Sequence, residues 1–256
     1  MNNKPIDTEL NNHLKSLADK YEKEEFLVGD PSWFMHQVKG DTNKELLAFI
    51  ASSLSYGSRK QFLPKIQKIL DASKGNVKEW LISGQYILDI PENEECYYRL
   101  YTNKMMHDML NALAAMVKEY GSMKEFVSHL SLIQEKGDAF LAIEALCKWF
   151  NDHGSKGIIP KNTQSSCKRI CMFLRWMVRD NSPVDIGLWN DIIDKRTLII
   201  PMDTHVVQEA MRLGLLTSKS TSMSTAKRLT ERLKEIFPDD PTKGDFALFG
   251  LGVDEN

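Results

Sequence analysis

Apolar side chains recur at intervals of three and four residues along most of this chain, the spacing that gives a helix one buried face. Leu14, Leu17 and Tyr21 mark a polar-rich helix over Leu10–Glu25, and a turn follows at Val28-Gly29-Asp30-Pro31. Asn43 stands as the cap of a helix over Lys44–Ser55, whose Leu46, Leu47, Phe49, Ile50 and Leu54 suit a buried element. Tyr56-Gly57-Ser58 breaks the pattern, and Lys60–Ala72 resumes it with Phe62, Leu63, Ile66, Ile69 and Leu70. Shorter pieces fill Asn76–Glu95. Further helices are predicted over Asn103–Tyr120, Met123–Leu130, Ala139–Phe150, Cys167–Arg179, Gly187–Ile193, Pro201–Leu213 and Thr225–Phe237, with a last turn in the Asp240–Gly250 tail. Period-two alternation is not sustained anywhere, so no strand is predicted. The pattern therefore implies an all-α fold of two helical lobes with a central cleft. One lobe takes approximately residues 1–30 and 190–256, the other approximately 40–185, within a single unit.

Composition narrows the class. Of 256 residues, 42% are hydrophobic and 27% charged, which is the balance of a water-soluble globular chain. No apolar run approaches the roughly 20 residues that span a bilayer, so no membrane partner is expected. Met1-Asn2-Asn3-Lys4-Pro5 has no apolar leader character, and four irregularly spaced cysteines (Cys96, Cys147, Cys167, Cys171) make no disulfide framework; a reducing cytoplasm is the expected location. Cys167 and Cys171 lack further spaced ligands, so neither a metal nor another cofactor is expected. The formal net charge of −2 argues mildly against a nucleic-acid partner, although a local basic face can still bind phosphates.

One such face is present in the sequence. Between His153 and Arg179 stand Lys156, Lys161, Lys168, Arg169, Arg175 and Arg179, without an acidic residue. On a helix, Lys168, Met172, Arg175 and Arg179 fall in one stripe, which could follow a phosphate backbone. The alternative is a solvated face matched by carboxylates such as Asp180 or Asp185. Asp203, in Ile200-Pro201-Met202-Asp203-Thr204-His205-Val206, lies where a helix should start, and capping alone would explain an Asp there.

The string Pro201-Met202-Asp203-Thr204-His205-Val206, followed by Arg212-Leu213-Gly214-Leu215, resembles the signature of the helix-hairpin-helix DNA glycosylases. Lys168 stands 35 residues earlier on its own helix, and this long spacing is most similar to the archaeal 8-oxoguanine glycosylases. The resemblance implies a base-excision enzyme acting on double-stranded DNA with a damaged base, and possible abasic-site lyase chemistry. Asp203 would stabilise the sugar cation and Lys168 would form a Schiff base. Arg169, Arg175, Arg179, Arg59 and Lys161 would hold phosphates. Leu46–Arg59 is similar to the family's early helix and the loop after it, so Tyr56 and Ser58, with Trp176, are candidates for the base pocket; core packing is the competing role for the aromatics. The family's usual hairpin string is replaced here by Gly157-Ile158-Ile159-Pro160-Lys161-Asn162, and the iron–sulfur cysteine tail of endonuclease III is absent. Phe173–Arg179 together with the Asp240–Gly250 tail resembles an uncharacterised bacterial family of unknown function. A non-catalytic helical module that binds nucleic acid or protein on the same scaffold is the alternative reading.

Overall fold

The computed structural model describes residues 6–129 and 136–254; Met1–Pro5 and Leu130, the expected end of the helix predicted from Met123, lie outside the described residues. The fold is all-α. In chain order the helices are α1 (Thr8–Tyr21), α2 (Asp41–Leu54), α3 (Arg59–Ser73), α4 (Val77–Ile82), α5 (Tyr86–Asp89), α6 (Asn103–Tyr120), α7 (Met123–Ser128), α8 (Ala139–Asp152), α9 (Lys168–Val178), α10 (Thr204–Arg212), α11 (Met223–Lys234) and α12 (Gly244–Asp254). Between α5 and α6 a short antiparallel hairpin pairs β1 (Cys96–Tyr98) with β2 (Tyr101–Thr102). The sequence pattern missed it, because strands of three and two residues are too short to express a period of two. Among the described residues no helix is long and apolar enough to cross a membrane.

The chain forms two compact units. The first comprises Met1–Phe26, Asp138–Phe140 and Thr163–Asn256, and the second Leu27–Gly137 and Leu141–Asn162. The expected boundary near residues 185–190 falls instead at 162–163, so α9 belongs with the chain's two ends. There Arg179, the residue that ends α9, binds Glu22 and Asp240, and Arg175 of α9 binds Asp245.

In the first unit α1 and α10 both pack on α12. Tyr21, Phe26, Phe246 and Phe249 meet edge-to-face there, with Phe26 5.0 Å from both Phe246 and Phe249. Gly250 lets α1 come this close, since a Cβ at that position would lie 2.3 Å from the Tyr21 ring. α9 is buried along most of its length, and its Phe173 meets Trp189 edge-on at 5.1 Å. The predicted helix over Gly187–Ile193 is a set of turns. Ile186 and Gly187 donate their N–H groups to the Trp176 carbonyl, and Trp189 donates to that of Met177, so this segment's backbone is tied to the end of α9.

In the second unit α2 is buried continuously from Glu45 to Leu54, as a helix apolar on all sides requires. Its cap is Gly40, not Asn43; Asn43 instead accepts from the Lys78 N–H at the start of α4, at 2.9 Å. Phe49 stacks on Phe150 at 4.9 Å. Glu45, 2% exposed, accepts from the N–H groups of Met123 (2.8 Å) and Lys124 (3.2 Å), so a buried carboxylate caps α7 from a distant helix. Glu45→Ala should therefore lower the unfolding free energy by about 2–3 kcal/mol, read as a shift of the urea midpoint at constant slope, since it strands two donors that bond a charged acceptor.

Candidate active site

Lys168 and Asp203 come together through the geometry of two helix starts in the first unit. The chain enters α9 through Ser165 and Ser166. Ser165 bridges to Ser222, the Ser166 N–H donates to the Thr221 carbonyl at 3.0 Å, and Ser166 Oγ donates to the Met202 carbonyl at 3.1 Å. The last bond ties the start of α9 to the residue preceding Asp203. Cys167, the N-terminal cap residue of α9, is left-handed with φ 48°, a conformation that costs an ordinary L-residue roughly 1–2 kcal/mol. On the other side of the site, Ile200 and Met202 are buried and Ile200 N–H donates to Thr230 Oγ1 at 3.1 Å.

Asp203 is the N-cap of α10, one residue ahead of the helix rather than inside its first turn. Its Oδ1 accepts from the Val206 N–H at 2.9 Å, and its Oδ2 accepts from Lys168 Nζ at 2.8 Å. Capping and pairing with the lysine thus use different oxygens of one carboxylate. Both side chains remain accessible, Lys168 at 35% and Asp203 at 32%. Partial burial acts to raise the Asp203 carboxyl, but the charge and hydrogen bond of Lys168, the Val206 N–H and His205 outweigh it and hold the group below its ordinary value.

Behind the pair lies a buried ionic lattice. Arg179 reaches Glu22 at 2.7 Å, Asp240 at 2.8 Å and Asp185. Arg175 reaches Asp185 at 3.4 Å and Asp245. Both guanidinium groups lie against the Phe246 ring, at 4.5 and 5.3 Å. Burial acts against the charge of Arg179, but Asp185, Asp240 and Glu22 outweigh it and keep the group charged. Asp245 connects lattice and site. Burial raises its carboxyl, Arg175 draws it down, and the charges of Asp203, Lys168 and Asp185 also act on it; the net direction is up.

These positions correct part of the sequence reading. Arg175 and Arg179 are not surface phosphate contacts: their side chains are 4% and 2% exposed, and their charges are met by carboxylates. Lys168 and Met172 of the stripe stay partly exposed, but elements carrying Glu22, Asp185, Asp240 and Asp245 cover its Arg175 and Arg179. Asp185, named as an alternative partner, pairs with both arginines, whereas Asp180 pairs with Lys195. Trp176 is fully buried, so it lines no base pocket. Arg169, next to Lys168, is half-buried. Tyr56, Ser58, Arg59 and Lys161 are exposed and belong to the second unit; Arg59 pairs with Asp30 at 3.3 Å. Sequence reasoning missed Asp245, Asp240 and Glu22, whose partners stand 70, 61 and 157 residues away. Among the described residues, no group of three or more His, Cys, Asp or Glu side chains is placed to hold a metal.

Over residues 30–254 the chain matches the family described as "Protein of unknown function (DUF2400)". The matched region contains Lys168, Asp203 and every member of the lattice except Glu22. Comparison with curated proteins found no match, and comparison with solved structures found none either.

Removing one partner from a buried ionic lattice leaves uncompensated charge, so Arg179→Ala should cost about 3–5 kcal/mol in a urea titration, whereas Lys161→Ala on the surface should stay within about 0.5 kcal/mol. The two carboxylates should differ in pH dependence. Asp203, held low, contributes stability that is present above the ordinary carboxylate range and lost as pH falls through its lowered value; Asp245, held high, contributes stability that is full below that range and lost as pH rises through its raised value. In melting curves from about pH 2 to about pH 7, Asp203→Asn should lose ground to the wild type as pH rises, and Asp245→Asn should gain ground.

Proposed function

The chain belongs to the DUF2400 family, whose function is unknown, and we propose that it is a DNA-repair glycosylase with abasic-site lyase activity. The observation that carries this reading is the Lys168 Nζ–Asp203 Oδ2 contact of 2.8 Å, an accessible amine against a carboxylate across 35 residues of sequence. Such a pair suits a lysine nucleophile with an adjacent proton acceptor. The string around Asp203 and its resemblance to the helix-hairpin-helix glycosylases supply the substrate class. Four free cysteines accord with a cytoplasmic setting.

In this reading Asp203 accepts a proton from the Lys168 ammonium. The freed amine attacks C1′ of the damaged nucleotide, and the bond from C1′ to the base nitrogen breaks. The base leaves with the bonding electron pair and takes up a proton. That proton comes from Asp203, and the carboxylate so regained stabilises the positive charge on the sugar as C1′ loses its base. The Lys168 nitrogen, now a secondary ammonium on C1′, gives a proton to Asp203; its lone pair then opens the sugar ring, whose oxygen takes that proton, and a Lys168–C1′ iminium remains. A borohydride ion reduces that iminium to a stable amine.

A second reading is a non-catalytic helical module. The burial of Arg175 and Arg179 favours it, because two of the expected phosphate contacts are consumed inside the protein.

Borohydride trapping on duplexes carrying an abasic site or an oxidised purine separates the two. The wild type should form a covalent adduct, Lys168→Ala should form none, and Asp203→Asn should slow adduct formation by about 10²–10³-fold. Absence of both adduct and base release in the wild type, on every damaged duplex tried, would remove the enzyme reading.

A further inference from the structure

In the second unit a hairpin turn outside the sequence motifs packs against the Tyr56 loop. β1 and β2 are joined by a two-residue turn, Arg99-Leu100, since Tyr98 pairs directly with Tyr101. Such a turn requires positive φ at its first position, where glycine or asparagine is usual. Arg99 occupies it with φ 52°. Several contacts hold it there. Cys96 Sγ donates to the Arg99 carbonyl at 3.3 Å, and Tyr98 OH donates to the Tyr56 carbonyl in the loop between α2 and α3. The Arg99 guanidinium lies over the Tyr56 ring, 4.9 Å from its centre. Gly57 makes room for it: a Cβ there would lie 2.2 Å from Arg99 Nη1.

The resulting surface is ordered, cationic and partly apolar. Leu100 is 74% exposed and Tyr56 42% exposed, with Arg59 and Lys60 exposed at the start of α3. Asp30 neutralises Arg59, whereas among the described residues Arg99 has no carboxylate partner. α3 begins in this loop, and Ser58 makes no capping hydrogen bond through its side chain. An unpaired guanidinium stacked on an aromatic ring is pre-organised for a phosphate oxygen. An exposed leucine beside it has the form of the apolar wedges that enter base steps.

We propose that the Tyr56 loop and the Arg99-Leu100 turn form a duplex-DNA contact in which Arg99 holds a backbone phosphate and Leu100 enters the base stack. This inference rests on the glycosylase reading for its choice of DNA over another polyanion. It accounts for phosphate anchoring by a residue outside the basic stripe, whose Arg175 and Arg179 are buried.

The test uses the full chain and a short fluorescent duplex carrying a tetrahydrofuran abasic analogue beside 2-aminopurine. Arg99→Gly keeps the left-handed backbone without strain and removes the whole side chain, the guanidinium with it. It should weaken binding several-fold and reduce the slope of log affinity against log salt by about 1. Leu100→Ser, at an exposed position, should leave that slope unchanged but abolish the rise in 2-aminopurine fluorescence that unstacking produces when the wild type binds. Thermal melts of both variants should match the wild type. Unchanged affinity and slope in Arg99→Gly, unchanged fluorescence in Leu100→Ser, competition by polyglutamate equal to that of DNA, or no DNA binding by the wild type would each overturn the proposal. A wild type that binds with these dependences but yields neither a borohydride adduct nor base release leaves this surface standing and removes the glycosylase. One that forms the adduct while both variants bind and unstack normally does the reverse.

Discussion

Two arginines on one face of α9 hold the first unit together. Arg175 and Arg179 collect carboxylates from the end of α1 (Glu22), the loop after α9 (Asp185) and the approach to and start of α12 (Asp240, Asp245). Each guanidinium offers a rigid fork of donors, which suits it to several acceptors at once in a way a lysine could not match. The lattice brings the two ends of the chain onto one helix. Burying so much charge is favourable only while partners are complete, so the arrangement is intolerant of single losses and strongly directional in what it selects.

The candidate site is built on this frame. Lys168 stands seven residues before Arg175 on α9, and Asp203 caps a helix that packs on α12, where Asp245 sits in the first turn. The field at the Lys168–Asp203 pair therefore includes a second carboxylate, itself held by Arg175. The left-handed Cys167 beside Lys168 adds backbone strain at the same place, which is where functional sites commonly store it. The pair is accessible while its supports are buried, a combination suited to chemistry on an external substrate.

Much of this was legible in the residues. Helical spacing was enough to place α2, α6, α9 and α11, because an amphipathic or wholly apolar run of that length has one stable use. Asp203 as a helix cap was legible from Pro201-Met202-Asp203-Thr204, since capping is a local interaction. Its pairing with Lys168 could be named from a resemblance but not measured. The basic run from Lys156 to Arg179 was misleading. A wheel shows that charges share a side, yet it cannot show whether that side meets water or buried carboxylates. The Arg99-Leu100 turn carried no signal, because positive φ at an arginine is imposed by its neighbours.

By itself, then, the sequence determined what local physics governs: an all-α chain, the rough position of its longer helices, and a carboxylate at the start of α10. Tertiary structure alone decided which charges are neutralised, which are free, and which oxygen of Asp203 meets Lys168. Helix formation depends on residues within a turn of one another. Ion pairing depends on side chains that the fold brings from 35, 61, 70 and 157 residues away. No pattern along the chain records such distances, and the chemistry of the site depends on them.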